Sequence, residues 1–162
     1  MRAVRRQILT GQLPPIDVLV IDDGSPDSTA LEAQAAGARV VRHPFNLGYG
    51  NALHSGYCAA MRSGYQRVLQ MDADGQHDPS MLIRLLDSLD AGTDVALGSR
   101  YLASDAPKSS LSRRIGTRVF SWIASTLTKI QISDPTSGFQ GLSRRALESV
   151  TNDGFPEDYP DT

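Results

Sequence analysis

The sequence predicts an α/β fold, a mostly parallel sheet with helices on both faces, and three observations carry that prediction. Strand-like and helix-like segments alternate from Ile16 to Ser99. The strand-like runs are short, apolar and rich in β-branched residues, and turn residues bound them. The length of 162 residues suits one domain with a core of its own. Residues 1–150 are read as that domain, and 151–162 as an acidic, proline-interrupted tail.

The elements follow in order. Arg2 to Thr10 reads as a helix, an unusual opening for a sheet built from βα units, so a first strand is expected upstream of Met1. Ile16 to Asp23 (IDVLVIDD) is the first clear strand, halted by Gly24, Ser25 and Pro26. Asp27 or Ser28 caps a helix that stops at Gly37. A short strand spans Ala38 to Arg42. Asn46 to Gly50 is a loop that leads into a helix from Tyr49 to Ser63. Gln66 to Met71 is a strand, followed by the turn-rich DADGQHDP. Asp78 caps the next helix, with Pro79 at its first position and Met81, Leu82, Leu85, Leu86 and Leu89 at helical spacing. Thr93 to Ser99 is one more strand. Residues 111–130 read as a long amphipathic helix, SGFQGLS as a short strand or turn, and Arg144 to Val150 as a last helix.

Composition narrows the class. Apolar residues make up 40% and charged residues 21%, which excludes a disordered or fibrous chain. No apolar run approaches the ~20 residues a membrane span requires, and no apolar signal-peptide core is present. Cys58 is the only cysteine, so an intrachain disulfide and a multi-cysteine zinc site are excluded. A reducing, cytoplasmic setting is expected. The net charge of −2 argues against nucleic acid as a partner. Residues 106–133 nevertheless hold Lys108, Arg113, Arg114, Arg118 and Lys129 and no acid. Such a segment suits a phosphate or an anionic lipid surface, or else an ordinary solvated helix face.

Carboxylates end two of the strands: Asp22-Asp23 after VLVI, and Asp72-Ala73-Asp74 after RVLQM. Ligands of open α/β sheets bind at the carboxyl ends of the strands, so both pairs can face one crevice. An Asp-x-Asp pair in a turn offers oxygens to one hard cation, Mg²⁺ or Mn²⁺, which also accepts substrate phosphates. Gln76 adds a carbonyl oxygen and His77 a nitrogen. His43 and His54 read as structural, and Cys58 as core. The Asn46–Gly50 loop lacks the lysine of a P-loop, although the helix N-terminus after it can receive an anion.

The strings VLVIDDGSPDST, NLGYGNAL, VLQMDADGQHDP, LGSRY and DPTSGFQGLSRRAL, in that order, resemble family 2 glycosyltransferases of the GT-A fold. The nearest type is that of dolichol-phosphate mannosyltransferases and other polyprenyl-phosphate sugar transferases. The resemblance covers roughly residues 16–148. It implies that Asp22 and Asp23 contact the base and ribose of a GDP- or UDP-sugar, with Gly24, Ser25, Asn46, Gly48 and Ala73 bordering the nucleotide. It implies that Asp72 and Asp74 form the D-x-D motif, Asp74 being the chief ligand of Mg²⁺ or Mn²⁺ and Gln76 completing the metal site. Arg100 and Arg114 are implied to hold phosphate groups of donor or acceptor. Asp134, Ser137, Gly138 and Phe139 match the D-x-x-S-G-F segment at the acceptor side. The implied reaction is an inverting sugar transfer to a polyprenyl phosphate or other acceptor, catalysed through Asp72, Asp74, Arg100 and Asp134. The basic helix at 111–130 would then rest on the inner face of the membrane.

The sequence departs from the family at several points. No strand ending in a Pro-x-Tyr-Asn-Glu-like segment precedes the first helix. Loss of that strand would leave an unpaired sheet edge, which favours self-association into a homo-oligomer. Gln140 stands where arginine or lysine is common, and no transmembrane helices follow the last matched helix. Two other functions stay open. One is a fragment that keeps the fold and binds nucleotide without transfer. The other is a haloacid-dehalogenase-type phosphatase, in which Asp72 would be the nucleophile and Asp74 the acid-base.

Overall fold

The structure, a computed structural model, describes residues 2–75, 77–98 and 138–152. In chain order the elements are α1 (Arg2–Leu9), β1 (Leu19–Asp22), α2 (Thr29–Ala35), β2 (Arg39–Arg42), α3 (Tyr49–Arg62) and β3 (Arg67–Gln70). A 3₁₀ turn (Pro79–Met81) leads into α4 (Leu82–Asp90), then β4 (Val95–Leu97), β5 (Gln140–Ser143) and α5 (Arg144–Asn152). Each element coincides with a segment the hydrophobic pattern predicts, although the strands are shorter than expected. The predicted helix at 111–130 lies outside the described residues, and α5 runs two residues into the expected tail.

Local chemistry sets the boundaries. Asp27, rather than Ser28, caps α2: its Oδ1 accepts from the Thr29 N–H at 3.0 Å. Asp78 does the same for the 3₁₀ turn through the Ser80 N–H at 2.9 Å, with Pro79 in the first position as the sequence predicts. α3 ends where Gly64 takes a φ of 78°, a left-handed conformation that glycine adopts without strain.

The described strands form two sheets. β1 and β2 pair in parallel, Leu19 opposite Arg39 through Asp22 opposite Arg42. β5 lies between β3 and β4 and is antiparallel to both, so β3 and β4 run in the same direction. The α/β class is therefore as predicted, with one refinement. SGFQGLS supplies an antiparallel central strand, which a strand–helix alternation read along the chain does not reveal.

Helices cover both faces of the three-stranded sheet. On one face α1 and α4 bury Val4, Leu82, Leu85 and Leu89 together with Ala96 and Phe139. On the other, α3 and α5 enclose Tyr57, Ala60, Leu142 and Leu147. Leu147 is fully buried, which stabilises the fold by about 1.5–3 kcal/mol relative to an exposed leucine. Among the described strands, β1 bonds only to β2 and β3 only to β5. A cavity of about 1490 Å³ is lined by both, by Val4 and Ile8 of α1 and by Leu53 and Tyr57 of α3. No helix among the described residues is long and apolar enough to cross a membrane.

Candidate functional site

The first acidic pair closes β1 and organises two loops. Asp22 is buried, and its Oδ1 accepts from the Ser25 N–H at 3.0 Å across the tight turn that follows. Gly24 occupies that turn with a φ of 74°, and a Cβ there would lie 2.5 Å from the Phe45 carbonyl carbon, so only glycine fits. Arg42 Nε sits 3.1 Å from Asp22 Oδ2 as an ion pair, while its Nη2 donates to the Ser25 carbonyl at 2.9 Å. Hydrogen bonds from the Ser25 hydroxyl and N–H, reinforced by Arg42, hold the Asp22 carboxyl below the usual aspartate range.

Asp23 turns toward the loop before α3. Its Oδ1 accepts from His43 Nδ1 at 2.6 Å and from the Leu47 N–H at 2.9 Å, and its Oδ2 accepts from the Gly48 N–H at 2.9 Å. Burial pushes the Asp23 pKa up, but these donors outweigh it and the net displacement is downward. Asn46 Oδ1 also accepts from Gly48 N–H at 2.9 Å. Asp22 and Asp23 are thus both engaged with their own chain, in a place that also borders the cavity: Asp23, Asn46 and Gly48 line it.

The second acidic strand end faces the same cavity, which Asp72, Ala73, Gly75 and His77 also line. The expectation that the two pairs share one crevice is met by Asp23 and Asp72. Tyr49, the first residue of α3, connects the two sides: its hydroxyl donates to Asp72 Oδ1 at 3.1 Å. A polar chain extends behind it. Gln70 Nε2 donates to Tyr49 Oη at 3.2 Å, and Tyr57 O–H donates to Gln70 Oε1. Gln140 Nε2 reaches both Tyr57 Oη, at 2.9 Å, and Gln70 Oε1, at 2.8 Å.

Asp72 has close neighbours on its other oxygen. His77 Nε2 is 3.6 Å from Oδ2, and the His77 ring stacks on Phe139 at 5.1 Å between centroids. Gly138 packs so tightly on Asp72 that a Cβ would overlap the carboxylate. Of the expected acceptor-side residues, Gly138 therefore lies against Asp72 and Phe139 against His77. Asp74 is exposed at the tip of the turn. The oxygens of Asp72 and Asp74 are the hard donors that Mg²⁺ or Mn²⁺ prefers, although no cluster of three or more acidic, His or Cys side chains forms among the described residues. Gln76, Arg100, Arg114, Asp134 and Ser137 lie outside the described residues. Sequence reading missed Tyr49, Tyr57, Gln70 and the working partners of His43. Only the tyrosine at a helix start, two residues beyond Leu47, gave any signal.

In open α/β sheets ligands bind at the carboxyl ends of the strands, and here Asp23 and Asp72, at two such ends, line one cavity. The chain belongs to glycosyl transferase family 2, which it matches over residues 1–151. It is 38% identical over 147 residues to the polyprenol monophosphomannose synthase of Mycolicibacterium smegmatis, covering 85% of this chain and 54% of the relative. It is 30% identical over 156 residues to the undecaprenyl-phosphate mannosyltransferase of Micrococcus luteus, covering 91% and 63%. The dolichol-phosphate mannosyltransferase of Pyrococcus furiosus is 34% identical over 143 residues, covering 83% and 39%. The chain thus spans between about two fifths and two thirds of the length of these relatives. Among solved structures, glucosyl-3-phosphoglycerate synthase from Mycobacterium tuberculosis in complex with UDP superposes with a TM-score of 0.63 at 21% identity, covering 88% of this chain and 52% of that one. The same enzyme with Mn²⁺, UDP-glucose and glycerol 3-phosphate gives 0.61 at 22% identity, covering 89% and 53%. These likenesses establish the GT-A fold.

Proposed function

We propose that this chain carries the donor-binding machinery of a metal-dependent, inverting glycosyltransferase that moves a sugar from a GDP- or UDP-sugar to a polyprenyl phosphate. The observation that carries the reading is the convergence of Asp23 and Asp72 on one cavity, where Asp23 accepts from the Gly48 N–H and the next residue, Tyr49, donates to Asp72. Family membership and the mannosyltransferase names of the relatives support the reaction class. The Mn²⁺ and UDP-glucose held by the structural neighbour support a divalent metal and a nucleotide-sugar.

On this reading Asp72 and Asp74 hold Mg²⁺ or Mn²⁺, with Gln76 as a further oxygen donor. The bound cation would offset the negative charge that develops on the departing nucleoside diphosphate. Tyr49 and Gly138 fix the direction of the Asp72 carboxylate. Asp23 sets the loop on which the nucleotide rests, with Asp22, Gly24 and Ser25 shaping the turn beside it. Arg100 and Arg114 orient donor and acceptor phosphates by paired hydrogen bonds. Asp134, Ser137, Gly138 and Phe139 border the acceptor. A lipid phosphate is already an anion at neutral pH, so attack on the sugar carbon requires no strong base from the protein. The enzyme would work at the cytoplasmic face of the membrane, where such a lipid presents its headgroup.

The test is a transfer assay with radiolabelled GDP- and UDP-sugars, a short-chain polyprenyl phosphate and Mn²⁺. Labelled lipid formed from one donor, and lost with EDTA, is the expected result. Metal-dependent nucleotide binding without labelled lipid would reduce the function to binding. Release of phosphate from p-nitrophenyl phosphate would instead favour the phosphatase.

A further inference from the structure

We infer that His43 and Ser55 are positioning residues which, acting through Asp23, hold the Asn46–Gly48 loop and the start of α3 in the geometry that receives the nucleotide. The inference rests on the proposed function for its ligand, but not for its geometry.

His43 follows β2 directly, and its own N–H donates to the Asp22 carbonyl at 2.9 Å, continuing the bonding of β2 to β1. That register delivers the ring to Asp23. The ring is buried, with 8% of its side chain exposed, and both nitrogens are engaged. Nδ1–H donates to Asp23 Oδ1 at 2.6 Å, and Nε2 lies 2.9 Å from Ser55 Oγ on α3. In the neutral ring the serine hydroxyl donates to Nε2 and thereby fixes the proton on Nδ1, aimed at Asp23. A largely buried carboxylate is costly unless its lone pairs are filled. His43 fills one and leaves the others for the Leu47 and Gly48 amides.

Those two amides belong to a loop whose other side-chain ties are local: Asn46 Oδ1 also accepts from the Gly48 N–H at 2.9 Å, and Asn51 Nδ2 donates to the Leu47 carbonyl at 2.8 Å. Leu47 is exposed, and Gly48 takes a φ of 91° as the residue before α3. The next residue, Tyr49, reaches Asp72 on the other side of the cavity. A chain of hydrogen bonds therefore runs from Ser55 through His43 and Asp23 to the loop, and from the loop through Tyr49 to the D-x-D motif. Ser55 and Gly48 anchor the same helix seven residues apart, and both anchors lead to the His43–Asp23 pair.

The two ring nitrogens can be separated by substitution, because an asparagine amide nitrogen falls near Nδ1 and a glutamine amide nitrogen near Nε2. Amide hydrogen exchange in the full chain without ligand reads the loop, and calorimetry with UDP or GDP plus Mn²⁺ reads the nucleotide. In His43→Gln the Leu47 and Gly48 amides should exchange at least about tenfold faster, with Leu85 and Leu89 of α4 unchanged, and nucleotide affinity should fall about tenfold. His43→Asn should keep both within about threefold of the parent. Ser55→Ala, which leaves Asp23 its histidine, should speed the two amides by about threefold and serves if His43→Gln does not fold. Equal effects of Asn and Gln, or unchanged exchange in His43→Gln and Ser55→Ala, would overturn the inference. Faster exchange with unchanged affinity would overturn its link to the nucleotide. If the parent chain binds neither nucleotide, the proposed function fails, while the exchange arm still decides the clamp.

Discussion

Asp72 is held by groups that no single stretch of sequence brings together: a tyrosine from α3, a histidine five residues on and a glycine from the segment before β5. Replacing Tyr49 with phenylalanine keeps the ring and removes the donor, while leaving Gln70 Nε2 without its acceptor. A hydrogen bond to a charged group contributes about 1.5–3 kcal/mol. Mn²⁺-dependent nucleotide affinity should therefore fall at least tenfold in calorimetry, and an unchanged value would remove Tyr49 from the site. Asp74 makes the complementary case. It is exposed in a turn, so Asp74→Ala should leave the melting temperature within about 2 °C and abolish metal-dependent binding. The acidic residues stood out as carboxylates closing apolar strands, and in the structure Asp22 and Asp23 also accept backbone N–H groups of the loops beside them. Tyr49, Gln70, Tyr57 and Gln140 were not legible, since each gains its meaning from a contact between elements distant in the chain. Gln140 read as the loss of a cation, yet it joins β5 to the Tyr57–Gln70 pair.

At the scale of elements, capping carboxylates and one buried leucine dominate. Asp27 is held below the usual aspartate range by the Thr29 hydroxyl and N–H, and Asp78 by the Ser80 N–H and hydroxyl. Carboxyl groups depressed in the folded state stabilise it above about pH 4, and that stability is lost as pH falls through their folded values. Urea midpoints should hold between pH 7 and 5 and decline below about 4; Asp78→Asn should flatten that decline, and an unaltered slope would deny the cap its role. Leu147 of α5 is fully enclosed by α3 and β5. Leu147→Ala should cost about 2–5 kcal/mol in urea unfolding, and a loss below about 1 kcal/mol would mean that α5 is not docked as described. Helix positions were readable because apolar spacing and caps are local. The antiparallel insertion of β5 was not, because Gln140–Ser143 carries no mark of which strands it will separate.

Among the described residues the strands form two sheets, and a cavity of about 1490 Å³ is lined by strands of both. Asp23 and Asp72, at the carboxyl ends of β1 and β3, line it together with apolar residues of α1, α3 and both strands. Among the described strands, β1, β2, β3 and β4 each pair on one side only. The central claim is that this arrangement still binds a nucleotide through the acidic crevice. Calorimetric titration of UDP and of GDP into the chain, with Mn²⁺ and again with EDTA, tests it most directly. Saturable binding of one nucleotide that disappears with EDTA is the predicted result, and it would also name the donor class. A folded chain that binds neither nucleotide in the presence of Mn²⁺ would contradict the account.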